Sequence, residues 1–205
     1  MTASAPVFRT AIPAAAVAPV ESTRVTLRDL SGVGVILIQG NVGTALEARW
    51  PALPHAPGQV SEAGDALLCR LTPSELYFLS TSPSVPLPPA DELNAELSGA
   101  GCFAHATDYR HGSAVLRLSG PDAVGTMRKI CGLDFSDSAF PNLAVRQTSA
   151  AKIKTLIVRS DDRGEGAEAG EGGHRYYLVV NRPFGEYMWH TVRDAALEFL
   201  EKEQT

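Results

Sequence analysis

Five histidines, His55, His105, His111, His174 and His190, and three cysteines, Cys69, Cys102 and Cys131, are the side chains most able to hold a metal or attack a substrate. No two histidines stand four residues apart and no His-Glu-x-x-His run occurs, so a helix-borne zinc site is not expected. The cysteines are odd in number and far apart, which supplies neither a disulfide framework nor a close ligand pair and fits a reducing cytosol. Cys131 falls on the apolar side of an expected helix and Cys69 in an expected strand, so both read as small buried hydrophobes. A Gly-x-Ser-x-Gly nucleophile elbow is absent. The glycines of Gly32-Val-Gly34 and Gly40-Asn-Val-Gly43 flank a strand instead of leading from a strand into a helix, and no Gly-Lys-Ser/Thr follows; they read as turns and caps, not as a phosphate loop. From Asp161 to Gly173, acidic residues alternate with glycines without the fixed oxygen spacing of a calcium loop. That segment is expected to be a flexible, solvated hairpin loop.

Two polar groups remain. Asp108-Tyr-Arg-His111, with His105 just upstream, is the densest, and two readings stand side by side. Asp108 caps a turn or pairs with Arg110 at a junction, or the cluster touches a ligand or partner. The second group is Arg182, Phe184 and Tyr187 at the start of the last expected helix, a mixture typical of protein interfaces, although an aromatic ring lying over its own domain would look the same. The expected site is therefore an interface built from Asp108, Arg110, His111, Arg182, Phe184 and Tyr187. No catalytic, cofactor-binding or metal-binding residue is expected on this chain.

The elements that carry these residues repeat. Val33-Gly-Val-Ile-Leu-Ile-Gln-Gly40, followed by a helical stretch Ala45 to Trp50, echoes Ser113-Ala-Val-Leu-Arg-Leu-Ser-Gly120, followed by a helix from Ala123 to Ile130. Strands at Ala66–Leu71 and Leu76–Leu79, then a helix from Ala90 to Leu97, echo strands at Lys152–Val158 and Tyr176–Val180, then a helix from Gly185 to Leu200. In the last helix Met188, Val192, Ala195 and Phe199 line up at helical spacing and demand burial. Each half spells β-α-β-β-α, which with one closing strand makes a split βαβ layer. The expected fold class is α+β, with two tandem ferredoxin-like (split βαβ) units. The expected division is a flexible segment over residues 1–24, a first unit over 25–106 and a second over 107–205 that contains the acidic loop 161–173, with the junction near Thr107-Asp108.

Composition narrows the partners. The 205 residues are 44% hydrophobic and 20% charged, as in an ordinary globular chain. A net charge of −5 repels phosphate backbones and anionic membranes, so nucleic acid is not an expected partner. The uncharged stretch between Asp29 and Glu47 is diluted by glycines, Gln39 and Asn41, and no transmembrane helix is expected. Pro6, Pro13 and Pro19 interrupt the Ala-rich start, which does not read as a signal peptide. The expected location is the cytoplasm.

Thr107-Asp-Tyr-Arg-His-Gly112, Leu116-Arg-Leu-Ser-Gly-Pro-Asp-Ala123, Ala139-Phe-Pro141, Gln147-Thr148 and the run from Tyr176 to Trp189 together resemble the sarcosine oxidase gamma-subunit family. The resemblance continues upstream through Leu53-Pro54 and Leu71-Thr-Pro-Ser-Glu-Leu-Tyr-Phe-Leu79, and so covers the chain from about Val25 onward. It implies a small subunit of a heterotetrameric flavoenzyme that demethylates sarcosine oxidatively to glycine, passes the one-carbon unit to tetrahydrofolate and forms hydrogen peroxide. It also implies alpha, beta and delta partners, with FAD, FMN, NAD, zinc and the folate site carried chiefly by those other subunits. The family is similar in turn to folate-binding aminomethyltransferases, whose catalytic aspartate corresponds to the stretch Gln147–Lys152. That stretch holds no acidic residue here, and Tyr109-Arg110 follows Asp108 where the wider superfamily more often has Leu or Met and then Ser. A second reading, a stand-alone folate-binding aminomethyltransferase-like protein, shares the same fold.

Overall fold

A computed structural model of the chain describes residues 10–13, 20–84, 86–161 and 173–201. Its strands are β1 (Val20–Glu21), β2 (Thr26–Asp29), β3 (Val35–Gly40), β4 (Gln59–Ala63), β5 (Ala66–Thr72), β6 (Glu75–Ser80), β7 (Ala104–Asp108), β8 (Ser113–Gly120), β9 (Ala144–Ala150), β10 (Ile153–Arg159) and β11 (His174–Asn181). Three α-helices accompany them: α1 (Ala90–Gly99), α2 (Ala123–Ile130) and α3 (Gly185–Glu201). The fold is mixed α/β, built on a large antiparallel sheet in the order β1-β2-β8-β11-β10-β9-β4-β5-β6-β3-β7. The expected stripe of α3 is buried through Met188, Trp189, Val192, Ala196 and Phe199.

The sheet contains the same order twice. Read outward from the middle, one half runs β4-β5-β6-β3-β7 and the other β9-β10-β11-β8-β2. The two ladders meet at a single pair, Gln59 opposite Ala144. Around that pair the bonds are reciprocal: the Val60 N–H donates to the Leu143 carbonyl and the Val145 N–H to the Gly58 carbonyl, both at 2.9 Å. Gly58 and Leu143 hold matching left-handed backbones, with φ of 85° and 59°. Their N–H groups donate to the carbonyls of Arg70 and Arg159, which therefore occupy equivalent places. Gly40 and Gly120 also match, at φ 113° and 117°, and a Cβ at either would strike backbone of the neighbouring strand.

Alternation along each strand separates two faces. In the half carrying α2 and α3, Leu27, Leu116, Leu118, Tyr176 and Leu178 pack beneath the helices. In the other half, Ile36, Ile38, Leu68, Phe78 and Ala106 pack beneath α1 with Leu93 and Leu97. The opposite faces of both halves meet in a third core, in which Val35, Leu67, Tyr77 and Leu79 touch Val115, Leu156, Val158, Tyr177 and Val179. Burying a sheet on both sides explains why these strands read as continuous apolar runs.

Several expectations need correction. Ala45 to Trp50 is a chain of turns and not a helix; its one helix-type bond, from the Trp50 N–H to the Leu46 carbonyl at 2.9 Å, is not continued past Trp50, where Pro51 disfavours helical backbone. Thr107-Asp108 is the end of β7, which crosses the expected boundary at 106/107 and pairs with β3. β2 lies within the expected first unit yet pairs with β8 in the other half. The apolar face of β8 thus gains its outer neighbour from upstream, Leu27 of β2 standing opposite Leu118. Within the expected flexible segment 1–24, Ile12 is fully buried and Val20–Glu21 pair with β2; residues 1–9 and 14–19 lie outside the described residues, as do 162–172 of the acidic loop.

The outer edges are handled differently. At β2, Leu27 is paired by Val20 of β1. At the equivalent place on β7, the carboxamide of Asn94 in α1 accepts from the Ala106 N–H at 2.7 Å and donates to the Ala106 carbonyl at 2.8 Å, so a side chain stands in for a strand. Asn94→Ala is expected to lower unfolding free energy by about 1–3 kcal/mol by orphaning two backbone groups, measured by chemical denaturation. Met188→Ala is expected to cost about 2–5 kcal/mol through a cavity beneath α3, measured in the same way.

Candidate functional site

Where the two helix-free faces diverge, a cleft of about 270 Å³ opens between the halves. Its floor is Leu37 and Gln39 of β3 with Glu75 and Tyr77 of β6, and its wall includes Lys154 of β10 and Asn181 of β11. Alternation puts Leu37, Gln39, Glu75 and Tyr77 on the face turned away from α1. Two shallower grooves continue from it past Gln147, one of about 460 Å³ beside Arg146 and Thr72, the other of about 370 Å³ beside Thr148 and Ser149. Tyr109 closes one end, donating its hydroxyl to the Asn181 Oδ1 at 2.6 Å and so tying the halves together. Burial pushes the Tyr77 hydroxyl up to about 12, with Glu75 and Tyr109 adding to the effect. Tyr77 is thus a hydrogen-bonding phenol at neutral pH and not a base.

The twofold relation generates a second cleft of about 240 Å³ at the opposite rim. Arg175 and Tyr177 hold the places of Glu75 and Tyr77, while Glu62, Asp65 and Thr81 hold those of Gln147, Lys154 and Asn181. The half built on β3 presents Glu75 to the first cleft and Glu62 and Asp65 to the second, and the half built on β8 presents Lys154 to the first and Arg175 with Asp161 to the second.

Beside the second cleft sits a buried ionic cluster. Arg159 is 3% exposed; it donates to the Phe140 carbonyl at 2.6 Å and to Asp161 at 2.6 Å, and lies 2.7 Å from Asp137. Burial opposes its charge, but the bonds to Asp161 and Asp137 more than offset this and raise its pKa. Burial would likewise raise the Asp161 carboxyl, yet the bonds from Arg159 and from the Arg175 N–H leave it below the ordinary carboxylate value. Asp161 was expected in a solvated loop; the structure makes it an anchor at the start of that loop. Its counterpart Arg70, 7% exposed, binds only carbonyls, those of Pro54 and Pro73, and burial lowers its pKa.

The two expected polar groups are linked through the bond between Tyr109 and Asn181. Asp108 ends β7, and its Oδ1 accepts from the Arg110 N–H at 2.9 Å while its carboxylate stands 3.7 Å from the Arg110 guanidinium. Asp29, at the equivalent place on β2, accepts from the Ser31 N–H in the same manner. His111 lies exposed in the 3₁₀ turn Arg110–Gly112. Arg182 and Phe184 form the 3₁₀ turn Arg182–Phe184 that follows Asn181, so the Tyr109–Asn181 bond brings both groups to one end of the molecule. Phe184 and Tyr187 are 41% and 50% exposed, and the Tyr187 hydroxyl donates to the Ala151 carbonyl at 3.3 Å. The sequence reading did not reach the cleft residues Leu37, Gln39, Glu75, Lys154 and Asn181. For Gln39, Glu75, Lys154 and Asn181 the signal is a polar residue within or at the end of an otherwise apolar strand; Leu37 carries none. Among the described residues, no group of three or more His, Cys, Asp and Glu side chains is placed to hold a metal ion, and no helix is long and apolar enough to cross a membrane.

The fold is similar to that of aminomethyltransferase T of the Bartonella henselae glycine cleavage system. That structure matches with a TM-score of 0.55 at 16% identity, over 83% of this chain and 46% of that one. A chain of the heterotetrameric sarcosine oxidase from Corynebacterium sp. U-96, solved in complex with pyrrole 2-carboxylate, matches with a TM-score of 0.69 at 26% identity, over 90% of this chain and 89% of that one. Sarcosine oxidase subunit gamma of Corynebacterium sp. (strain P-1) is 34% identical over 174 residues, 82% of this chain and 76% of that protein. Sarcosine oxidase subunit gamma of Arthrobacter sp. is 32% identical over 182 residues, 85% and 81% of the two chains. No protein-family model matches the chain. The chain belongs to the sarcosine oxidase gamma-subunit family.

Because the folded state holds Asp161 at a lowered pKa, folding favours the deprotonated carboxylate. The stability it contributes is complete above about pH 4, the unfolded value, and is lost as pH falls through the folded one. Asp161→Asn is expected to reduce unfolding free energy at pH 7 by about 1.5–3 kcal/mol and to flatten its decline toward acid pH, checked by urea unfolding across pH.

Proposed function

We propose that this chain is the gamma subunit of a heterotetrameric sarcosine oxidase, assembled with alpha, beta and delta subunits and not itself catalytic. The observation that carries the reading is the likeness to two gamma subunits over more than four fifths of the chain, together with the match to a chain of the solved heterotetramer. The complex would convert sarcosine, tetrahydrofolate and O₂ to glycine, the methylene-folate adduct and hydrogen peroxide. FAD, FMN, NAD, zinc and tetrahydrofolate would be carried by the other subunits, in the cytoplasm. The structure supports a supporting role in one specific way: the strand and turn spanning Gln147–Lys152 carry no carboxylate for folate chemistry. The paired strand orders support reading the halves as two ferredoxin-like units, each with one extra strand, β4 or β9, at the join. Asp108, Arg110, His111, Arg182, Phe184 and Tyr187, brought to one end through Tyr109 and Asn181, form a contact surface for the other subunits.

Co-expression with the neighbouring flavoprotein genes is expected to yield a stable complex containing this chain. A monodisperse monomer that ignores those chains would sink the assignment, and calorimetric binding of tetrahydrofolate to the isolated chain would favour the stand-alone transferase instead. Arg182→Ala is expected to weaken assembly without changing the melting temperature of the isolated chain.

A further inference from the structure

The twofold relation gives the hairpin β9–β10 a built-in reference, the hairpin β4–β5. The Gly58 N–H donates to the Arg70 carbonyl and the Leu143 N–H to the Arg159 carbonyl, so the two hairpins start from equivalent pairs. Counted from those pairs, β9–β10 is four residues longer, two per strand, and reaches about 7 Å further. One face of the added length is packed, since Ala150 is fully buried and bridges to Cys131. Alternation puts Gln147, Ser149 and Lys154 on the other face, where with Thr148 they line the groove of about 370 Å³.

The turns that close the two hairpins differ as well. β4–β5 closes through Gly64-Asp65, with Gly64 at φ 60°, where a glycine meets no Cβ penalty. β9–β10 closes through Ala151-Lys152, both left-handed at φ 49° and 65°, a two-residue turn that favours Asn-Gly. Ala151 is explained by its surroundings: it packs against the core, its N–H donates to the Ile130 carbonyl at 2.6 Å, and its carbonyl accepts from the Tyr187 hydroxyl at 3.3 Å. Lys152 is exposed, and among the described residues its side chain has no ion-pair or hydrogen-bond partner. A side chain kept in a strained backbone without packing on its own chain points to a contact outside it. From Leu143 to Val158 the chain carries Arg146, Lys152 and Lys154 and no acidic residue, although its net charge is −5. Glu75 shares the first cleft with Lys154 but does not line this groove.

We infer that the extended end of β9–β10, from Gln147 to Lys154, seats a carboxylate-bearing segment of another subunit of the oxidase. Lys152 and Lys154 each meet an aspartate or glutamate of that segment, and Thr148 and Ser149 donate hydroxyls beside them. Charge selects the occupant: the groove offers a cation, hydroxyls and an amide, and its tip a second cation, with no acidic side chain lining it. The bond from Tyr187 to the Ala151 carbonyl makes this surface continuous with the one proposed around Arg182. The inference rests on the gamma-subunit reading and adds the chemistry that the partner presents.

The test sets stability against assembly. As an isolated chain, Lys152→Gly is expected to melt at or above the parent temperature, because relief of the left-handed strain offsets glycine's added freedom in the unfolded state. In the co-expressed complex the same variant is expected to weaken retention on the tagged partner subunits about tenfold, Lys152→Glu more strongly still, and Lys152→Arg not at all. Amine acetylation of the unaltered protein, read by mass spectrometry, is expected to modify Lys152 readily in the isolated chain and to spare it in the complex. If the unaltered chain assembles, Lys152→Gly and Lys152→Glu assemble equally well and Lys152 stays reactive, the inference is overturned and the subunit assignment stands. If the unaltered chain does not assemble at all, both fall together. A Lys152→Gly chain that melts below the parent removes the strain argument and overturns the inference. So does millimolar citrate that protects Lys152 in the isolated chain as fully as the complex does, since the occupant is then a small anion.

Discussion

Each half-sheet of this protein has one face under helices and one face that is nearly as apolar, and the second face can be buried only by the other half. That mutual covering is the constraint from which the remaining structure follows. It requires the strands to be hydrophobic on both sides, fixes β4 and β9 as the joining strands, and leaves a polar cleft at each rim where the faces part. Single-pair contact between β4 and β9 supplies little ladder energy. The face-to-face core, not the shared sheet, holds the halves in register.

Charge then makes the pairing directional. One half contributes Glu75, Glu62 and Asp65 to the clefts, the other Lys154 and Arg175 together with Asp161. The β3 half packed against a copy of itself would set Glu75 against Glu62 and Asp65, so the arrangement favours the intrachain partner. The buried arginines show how equivalent positions diverged. Arg159 is neutralised by Asp161 and Asp137, which lets it anchor the start of the acidic connection, while Arg70 is satisfied by carbonyls alone and stays near a tight turn. The two halves share a backbone plan and differ in what their rims are built to meet.

Much of the plan was legible from periodicity. The stripe of α3, the helices α1 and α2, and the strands β3, β5, β6, β8, β10 and β11 stand within a residue or two of where alternation and helical spacing put them, because each buries a continuous apolar set. Residues 45–50 carry helical spacing but form only turns, and Pro51 stops the one helix-type bond there from being continued. β2, β4, β7 and β9 escaped because their sequences mix exposed polar residues with few β-branched ones, and their strand state depends on ladders to distant segments. The polar groups at Asp108–His111 and Arg182–Tyr187 were visible as clusters, but nothing in their spacing said that Tyr109 would reach Asn181.

By itself the sequence determined the repeat, the apolar faces, the lack of a nucleophile or metal motif and the family resemblance, all of which reside in short-range pattern. Only the tertiary structure decided that β2 closes the far half, that Arg70 and Arg159 are equivalents with different partners, and that Glu75 stands where the other half has Arg175. Those facts depend on pairings between residues far apart in the chain. Such pairings are chosen by the burial of whole faces, a quantity that no local run of residues contains.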